Sequence, residues 1–131
     1  MAKILIFEDN IDLSLYWQRL LESQAHSVQC CDSVAAALAI VETMKPDLVI
    51  ADMLIKSGEA ARPEGGLTLI SKLQMLGPKR LRILGVSGMK PNIYLKSTAL
   101  EIAENMGIDM ALYKPLSAEQ LLESVHYLLE L

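Results

Sequence analysis

A doubly wound α/β fold, a five-stranded parallel sheet covered by five helices, is predicted by three observations. Short apolar runs alternate with helical patterns five times along 131 residues. Runs two to five are apolar throughout rather than alternating, as parallel strands buried on both faces must be. Hydrophobic residues make up 52% of the chain, slightly above the usual share, which a sheet covered on both sides requires. Strand–helix–strand alternation then implies right-handed crossovers.

Strand one is expected at Lys3–Phe7. Helix one follows, with Asn10 as N-cap and Leu13, Tyr16, Trp17, Leu20 and Leu21 on one face. Strand two is Ser27–Cys31. Ser33 caps helix two, where Val34, Ala37, Leu38, Val41 and Met44 repeat at helical spacing until Pro46 stops it. Strand three is Leu48–Ala51, and Lys56–Gly66 reads as a loop carrying Gly58, Pro63, Gly65 and Gly66. Helix three shows Leu69, Ile70, Leu73 and Leu76 and ends at Gly77-Pro78. Strand four is Arg82–Val86. Helix four shows Leu95, Ala99, Ile102, Ala103 and Met106 and ends at Gly107. Strand five is Met110–Tyr113. Helix five opens with the capping box Ser117-x-x-Gln120 and carries Leu121, Leu122, Val125, Leu128 and Leu129.

The bulk properties exclude several classes. A net charge of −4 with no Lys/Arg run argues against nucleic-acid binding. The apolar stretches are too short to span a bilayer, and Met1-Ala2-Lys3 begins no signal peptide, so a cytoplasmic protein without membrane contact is expected. Cys30 and Cys31 are neighbours in a strand and point to opposite faces, so they read as two small buried hydrophobes, not a disulfide. His26 and His126 have no ligand-like partners at metal spacing and read as surface or packing residues. No linker or repeat marks a second domain; residues 1–131 are expected to form one unit, ending with helix five and carrying no output domain.

The chemistry gathers at the strand ends. Glu8-Asp9 follows strand one, Asp52 strand three, Ser87 strand four and Lys114-Pro115 strand five. In a parallel sheet all five polar side chains emerge at one carboxyl edge, where ligands of open α/β sheets bind. Three carboxylates, a hydroxyl and a lysine suit Mg²⁺-assisted phosphoryl transfer onto a carboxylate. Asp52 would be the nucleophile, since Asp can form an acyl phosphate. Glu8 and Asp9 offer hard oxygen ligands for Mg²⁺ beside it. Lys114 supplies a compact positive charge for a phosphate oxygen or for Asp52 itself. Ser87 can hydrogen-bond a phosphate oxygen only when that group is present, which is the differential contact a switch requires.

With these residues in place the chain resembles the receiver domain of bacterial two-component response regulators, as in single-domain chemotaxis-type receivers. The resemblance spans essentially the whole chain and is carried by Ile4-Leu5-Ile6-Phe7-Glu8-Asp9-Asn10, Pro46-Asp47-Leu48-Val49-Ile50-Ala51-Asp52, Val86-Ser87-Gly88 and Tyr113-Lys114-Pro115. It implies a flavodoxin-like strand order of 2-1-3-4-5. It implies that Asp52 accepts phosphate from a sensor histidine kinase or histidine phosphotransfer protein. It implies Mg²⁺ at Glu8, Asp9, Asp52 and the backbone carbonyl of Leu54. Ser87 and Lys114 are then phosphate ligands, and Lys114-Pro115 is cis. Output to a downstream protein is expected through the face formed by helix four, strand five and helix five, by a monomer or weak dimer.

Three departures from the family pattern stand out. Lys56 holds a place where the family often has proline, and Gly65-Gly66 come late, so the segment after strand three is lengthened. Ala111 stands where Tyr or Phe is usual, with Tyr113 on the same side of the strand. Leu54 and Met89 occupy positions that influence hydrolysis in the family; apolar side chains cannot orient an attacking water, so a long-lived phospho-state is expected. Three rival functions are weighed. A haloacid-dehalogenase-like phosphatase would want an acid where Leu54 stands. A flavodoxin-like electron carrier would find its flavin phosphate repelled by Glu8-Asp9. A phosphorylation-independent adaptor of receiver fold is opposed by the presence of all five key residues.

Overall fold

The computed structural model describes residues 2–53, 55–57, 60–62, 64–76, 81–88, 104–105 and 107–131. Five parallel strands form the main sheet: β1 (Lys3–Phe7), β2 (Ser27–Cys31), β3 (Leu48–Asp52), β6 (Arg82–Ser87) and β7 (Met110–Tyr113). Their spatial order is β2-β1-β3-β6-β7, which is the 2-1-3-4-5 order the resemblance implies. The described helices are α1 (Ile11–Glu22), α2 (Val34–Met44), α3 (Glu64–Leu76) and α4 (Ala118–Leu129). The predicted fourth helix falls almost wholly outside the described residues, as do Leu54 and Met89. Its stop signal does not: Gly107 has φ 93, a left-handed conformation that glycine adopts without a Cβ penalty.

Alternation within the strands separates two apolar layers. Leu5, Phe7, Val49, Ala51 and Ile83 pack with Ala37 of α2 and with Leu69, Ile70 and Leu73 of α3. Ile4, Ile6, Leu48, Ile50, Leu84 and Val86 pack on the other side with Trp17 and Leu21 of α1 and with Leu121, Val125 and Leu128 of α4. Cys30 and Cys31 divide between these layers as neighbours in a strand must. Both are free thiols, and burial pushes Cys31 up to about 12, which suits inert packing. They are half-buried rather than fully buried, because β2 is an edge strand.

The predicted caps are in place. Asn10 Oδ1 accepts from Leu13 N at 3.1 Å, Ser33 Oγ from Ala36 N at 3.2 Å and Ser117 Oγ from Gln120 N at 3.0 Å. Lys45 closes α2 in the left-handed conformation, φ 53, directly before Pro46. No helix of the described residues is long and apolar enough to cross a membrane.

Three readings need correction. The segment Lys56–Gly66 is not a plain loop. It holds a small antiparallel hairpin, β4 (Ile55–Ser57) with β5 (Ala60–Arg62), and the first turn of α3. Strands three and four each run one residue further than expected, so Asp52 and Ser87 are their last residues and remain in the hydrogen-bonded register. Tyr16, assigned to the inner face of helix one, is 49% exposed, because the stripe that packs is narrower and centred on Trp17 and Leu21. His26 and His126 are surface residues, as expected, and line one open hollow of about 590 Å³ at the amino edge of the sheet, with Asp47, Arg82 and Glu130.

Gly66 shows why a glycine is used inside the first turns of α3. A Cβ there would lie 2.6 Å from both the Asp52 carbonyl oxygen and Met53 Cα. The helix is pressed directly onto the backbone that carries Asp52. Gly66→Ala gains about 1 kcal/mol of helix propensity but meets backbone that cannot move aside, at about 3 kcal/mol. A net loss of roughly 2 kcal/mol in urea unfolding is therefore expected. Gly88→Ala is the control, since among the described residues its Cβ would meet only Lys114 Cδ at 4.0 Å. Equal stability of the two variants would contradict the close approach.

Candidate functional site

Parallel pairing fixes where the polar strand ends meet. Phe7 lies beside Ala51, Asp52 beside Val86 and Ser87 beside Tyr113. The ladder also extends one rung beyond strands. Glu8 N donates to Cys31 O at 3.0 Å, Met53 N to Val86 O at 2.9 Å and Lys114 N to Ser87 O at 2.8 Å. The backbone at Glu8, Asp52, Ser87 and Lys114 is thereby held by a neighbouring strand rather than left to a loop. Pro115 follows in a cis peptide bond with Lys114, as the resemblance implies.

The side chains converge. Lys114 Nζ donates to Glu8 Oε1 at 3.0 Å and Oε2 at 3.1 Å, and to Asp52 Oδ2 at 3.3 Å. The two carboxylates are almost sealed from water, with side-chain exposures of 1% for Glu8 and 4% for Asp52, against 23% for Lys114. Asp9 is half-buried at the rim, and Ser87 is fully buried at the end of β6. On the inner side the ammonium stands over the ring of Trp17, 6.0 Å from its centroid. Of the sequence-predicted site residues, Glu8, Asp9, Asp52, Ser87 and Lys114 thus occupy one edge; Leu54 lies outside the described residues.

Electrostatics follow from this burial. Burial raises the Glu8 carboxyl, the hydrogen bond and negative charge of Asp52 raise it further, and Lys114 offsets only part, leaving it at about 8 against an ordinary 4.5. Burial alone would lower the Lys114 ammonium, but the Asp52 and Glu8 carboxylates outweigh it and hold it above its ordinary value. The cluster is short of positive charge by its own chemistry. Glu8, Asp9 and Asp52 can each offer an oxygen such that all three lie within 4.8 Å of one another. An octahedral Mg²⁺ with oxygens at 2.0–2.1 Å needs ligands roughly 3–4 Å apart, so the donor set fits a small, hard divalent ion.

Sequence reasoning missed two features of this edge. The longer glutamate at position 8 reaches Lys114 with both oxygens, a contact that spacing does not disclose. Trp17 read only as a core residue; it stands on the inner face of α1, two turns from the Glu8-Asp9 pair, and nothing in the pattern names Lys114 as its neighbour.

The model of the response regulator receiver domain matches residues 4–126, and the chain belongs to that family. Receiver domains of two-component signalling are regulatory, bind Mg²⁺ in an acidic pocket and interact with histidine kinases or phosphotransfer proteins; this chain has the acidic cluster of Glu8, Asp9 and Asp52. No curated protein is similar enough to count as a relative. Among solved structures, a two-component response regulator from Clostridium difficile is similar at 23% identity and TM-score 0.81, covering 99% of this chain and 97% of that one. The BeF3-activated N-terminal receiver domain of RstA from Klebsiella pneumoniae is similar at 19% identity and TM-score 0.79, covering 98% and 99%. NtrX from Brucella abortus, solved in complex with ADP, is similar at 24% identity and TM-score 0.80 over 98% of this chain, which spans 26% of that protein.

A raised Glu8 binds its proton more tightly in the folded than in the unfolded state. Its contribution to stability is complete below pH 4.5 and is lost as pH rises through about 8. In chelator, urea unfolding of the wild type should lose stability across that window relative to Glu8→Gln, whose side chain does not titrate. Parallel pH profiles for the two proteins would contradict the buried, charge-deficient carboxyl.

Proposed function

We infer that residues 1–131 act as one receiver unit whose switch is phosphorylation of Asp52. The observation that carries this reading is the Lys114 ammonium shared between buried Glu8 and Asp52, with Asp9 completing a trio of carboxylates. The donor is a phosphohistidine of a sensor kinase or histidine phosphotransfer protein. An Asp52 oxygen attacks phosphorus, the N–P bond breaks, and the leaving imidazole takes the bonding pair and a proton from water. Glu8, Asp9, Asp52 and, as the resemblance implies, the Leu54 carbonyl would hold Mg²⁺, which when bound would supply positive charge against the repulsion between carboxylate and phosphoryl oxygens. Lys114 leaves Asp52 to pair with a phosphoryl oxygen, and Ser87 hydrogen-bonds another. The protein catalyses only its own phosphorylation and dephosphorylation and has no separate turnover substrate.

The donor must reach Asp52 from the carboxyl edge. Ile11 at 74% exposure and Leu15 at 42% stand at that rim on α1, where they also line the hollow beside Glu8 and Asp9. An apolar contact there suits a helical donor protein. Output by protein–protein contact is assigned to β7, α4 and the segment before them. Ala111 and Tyr113 both pack toward the α2–α3 layer. Tyr113 is thus the aromatic group on the side where the family usually places its ring. An adaptor that acts without phosphorylation is the alternative favoured by the missing aromatic at position 111.

Intact-mass spectrometry after incubation with acetyl phosphate tests the reading. A single phosphoryl adduct is expected with Mg²⁺, absent in chelator and absent in Asp52→Asn. No adduct from either acetyl phosphate or a phosphorylated histidine phosphotransfer domain would favour the adaptor. The adduct should also decay slowly, over minutes or longer with Mg²⁺ and no phosphatase, because Leu54 and Met89 offer no group to orient water. A half-life of seconds would sink that expectation, and Leu54→Asn should shorten it.

A further inference from the structure

Lys114 carries a long, flexible stem, and its two hydrogen-bonded partners are both candidate metal ligands. Its bonds to Glu8 and Asp52 are therefore conditional on what else occupies the site. A neighbour whose hold is unconditional lies on the other side. Trp17, 1% exposed, is fixed in the core with Ile6, Ile50 and Leu121, and its ring centroid is 6.0 Å from Lys114 Nζ. Among the neutral side chains, indole offers the strongest face for a cation. Its attraction uses none of the three ammonium N–H donors.

We propose that Trp17 is a positioning residue for phosphoryl transfer, holding the Lys114 ammonium by a cation–π contact while its hydrogen bonds pass from the carboxylates to the phosphoryl group. A leucine at this place would keep the position apolar but would exert no pull on the charge. The ring thus acts as a fixed pivot. The ammonium can exchange Glu8 for a phosphoryl oxygen without a state in which only solvent holds it. The inference rests on Lys114 serving as a phosphoryl ligand and adds which group keeps it in reach.

The test compares Trp17→Leu and Trp17→Phe, both assayed by the rate of adduct formation over a series of acetyl phosphate concentrations and normalised to folded protein. Trp17→Leu should lower the maximal rate about fivefold, equivalent to about 1 kcal/mol at 1.36 kcal/mol per tenfold, with the half-saturating donor concentration unchanged. Trp17→Phe retains a π face and should recover most of that rate, although both variants lose core volume and melt earlier. Equal rates for Leu and Phe, whether both slow or both normal, would overturn the role. The contact itself is read in the folded wild type, where Trp17 is the sole tryptophan. Removing the charge in Lys114→Met should shift its emission maximum, and an unchanged spectrum would overturn the contact without any variant at position 17. A wild type that takes up no phosphoryl group while its emission still answers to Lys114→Met would sink the switch reading, and with it the role in transfer, leaving the contact intact.

Discussion

Two strands end in carboxyl groups that water hardly reaches, and an ammonium group at the end of a third holds them together. Glu8 follows β1, Asp52 ends β3 and Lys114 follows β7, with Nζ 3.0 Å from Glu8 and 3.3 Å from Asp52. Two buried carboxyls this close disfavour ionisation of both, and Lys114 offsets only part of that cost, which is why Glu8 keeps its proton up to about 8. Removing one partner of a buried ion pair typically costs about 3–5 kcal/mol, because the other charge is left uncompensated. The geometry of the sheet follows from the same constraint. A one-residue slip of β1 or β3 would send its hydrophobic set to the wrong layer. The pattern that builds the core thus also sets the spacing of the charges.

The cluster also has the form of a device with two electrostatic states. In the structure Lys114 supplies the only ammonium seen to pair with Glu8 and Asp52 among the described residues. A divalent ion among the carboxylates would take over that neutralising task and free the ammonium for an incoming phosphoryl group. The bonds from Lys114 and Ser87 to that group would then exist in one state only, which is what allows a local covalent change to bias a larger equilibrium. Gly66 brings the start of α3 onto the Asp52 backbone, and Lys114 N is bonded to Ser87 O. A shift at the site therefore has packed elements on both sides to act upon.

Much of this was legible in the sequence because the buried strands are written in uninterrupted apolar runs whose ends are abrupt. The step from Ala51 to Asp52, or from Tyr113 to Lys114, marks the edge of the sheet as plainly as any coordinate. The caps Asn10, Ser33 and Ser117 were equally readable, since each places a short polar side chain before a helical stripe. The hairpin β4–β5 was not, because Ala60, Ala61 and Ser57 carry no strand propensity. The start of α3 was missed because Gly65-Gly66 reads as loop by propensity, whereas close approach to the Asp52 carbonyl decides the position. Pairings such as Lys114 with Glu8 and Trp17 lie 106 and 97 residues apart and depend on register and rotamer, which no local pattern encodes.

The most direct test of the central claim is a crystal structure with Mg²⁺ and beryllofluoride, a stand-in for the phosphoryl group. The expected result is an ion among Glu8, Asp9 and Asp52 and beryllofluoride on the Asp52 carboxylate. Lys114 Nζ and Ser87 Oγ should bond its fluorines, and the paired contact from Lys114 to Glu8 should open. Beryllofluoride seated elsewhere, or Lys114 still bridging Glu8 and Asp52 with the ion and the fluoride both bound, would contradict it.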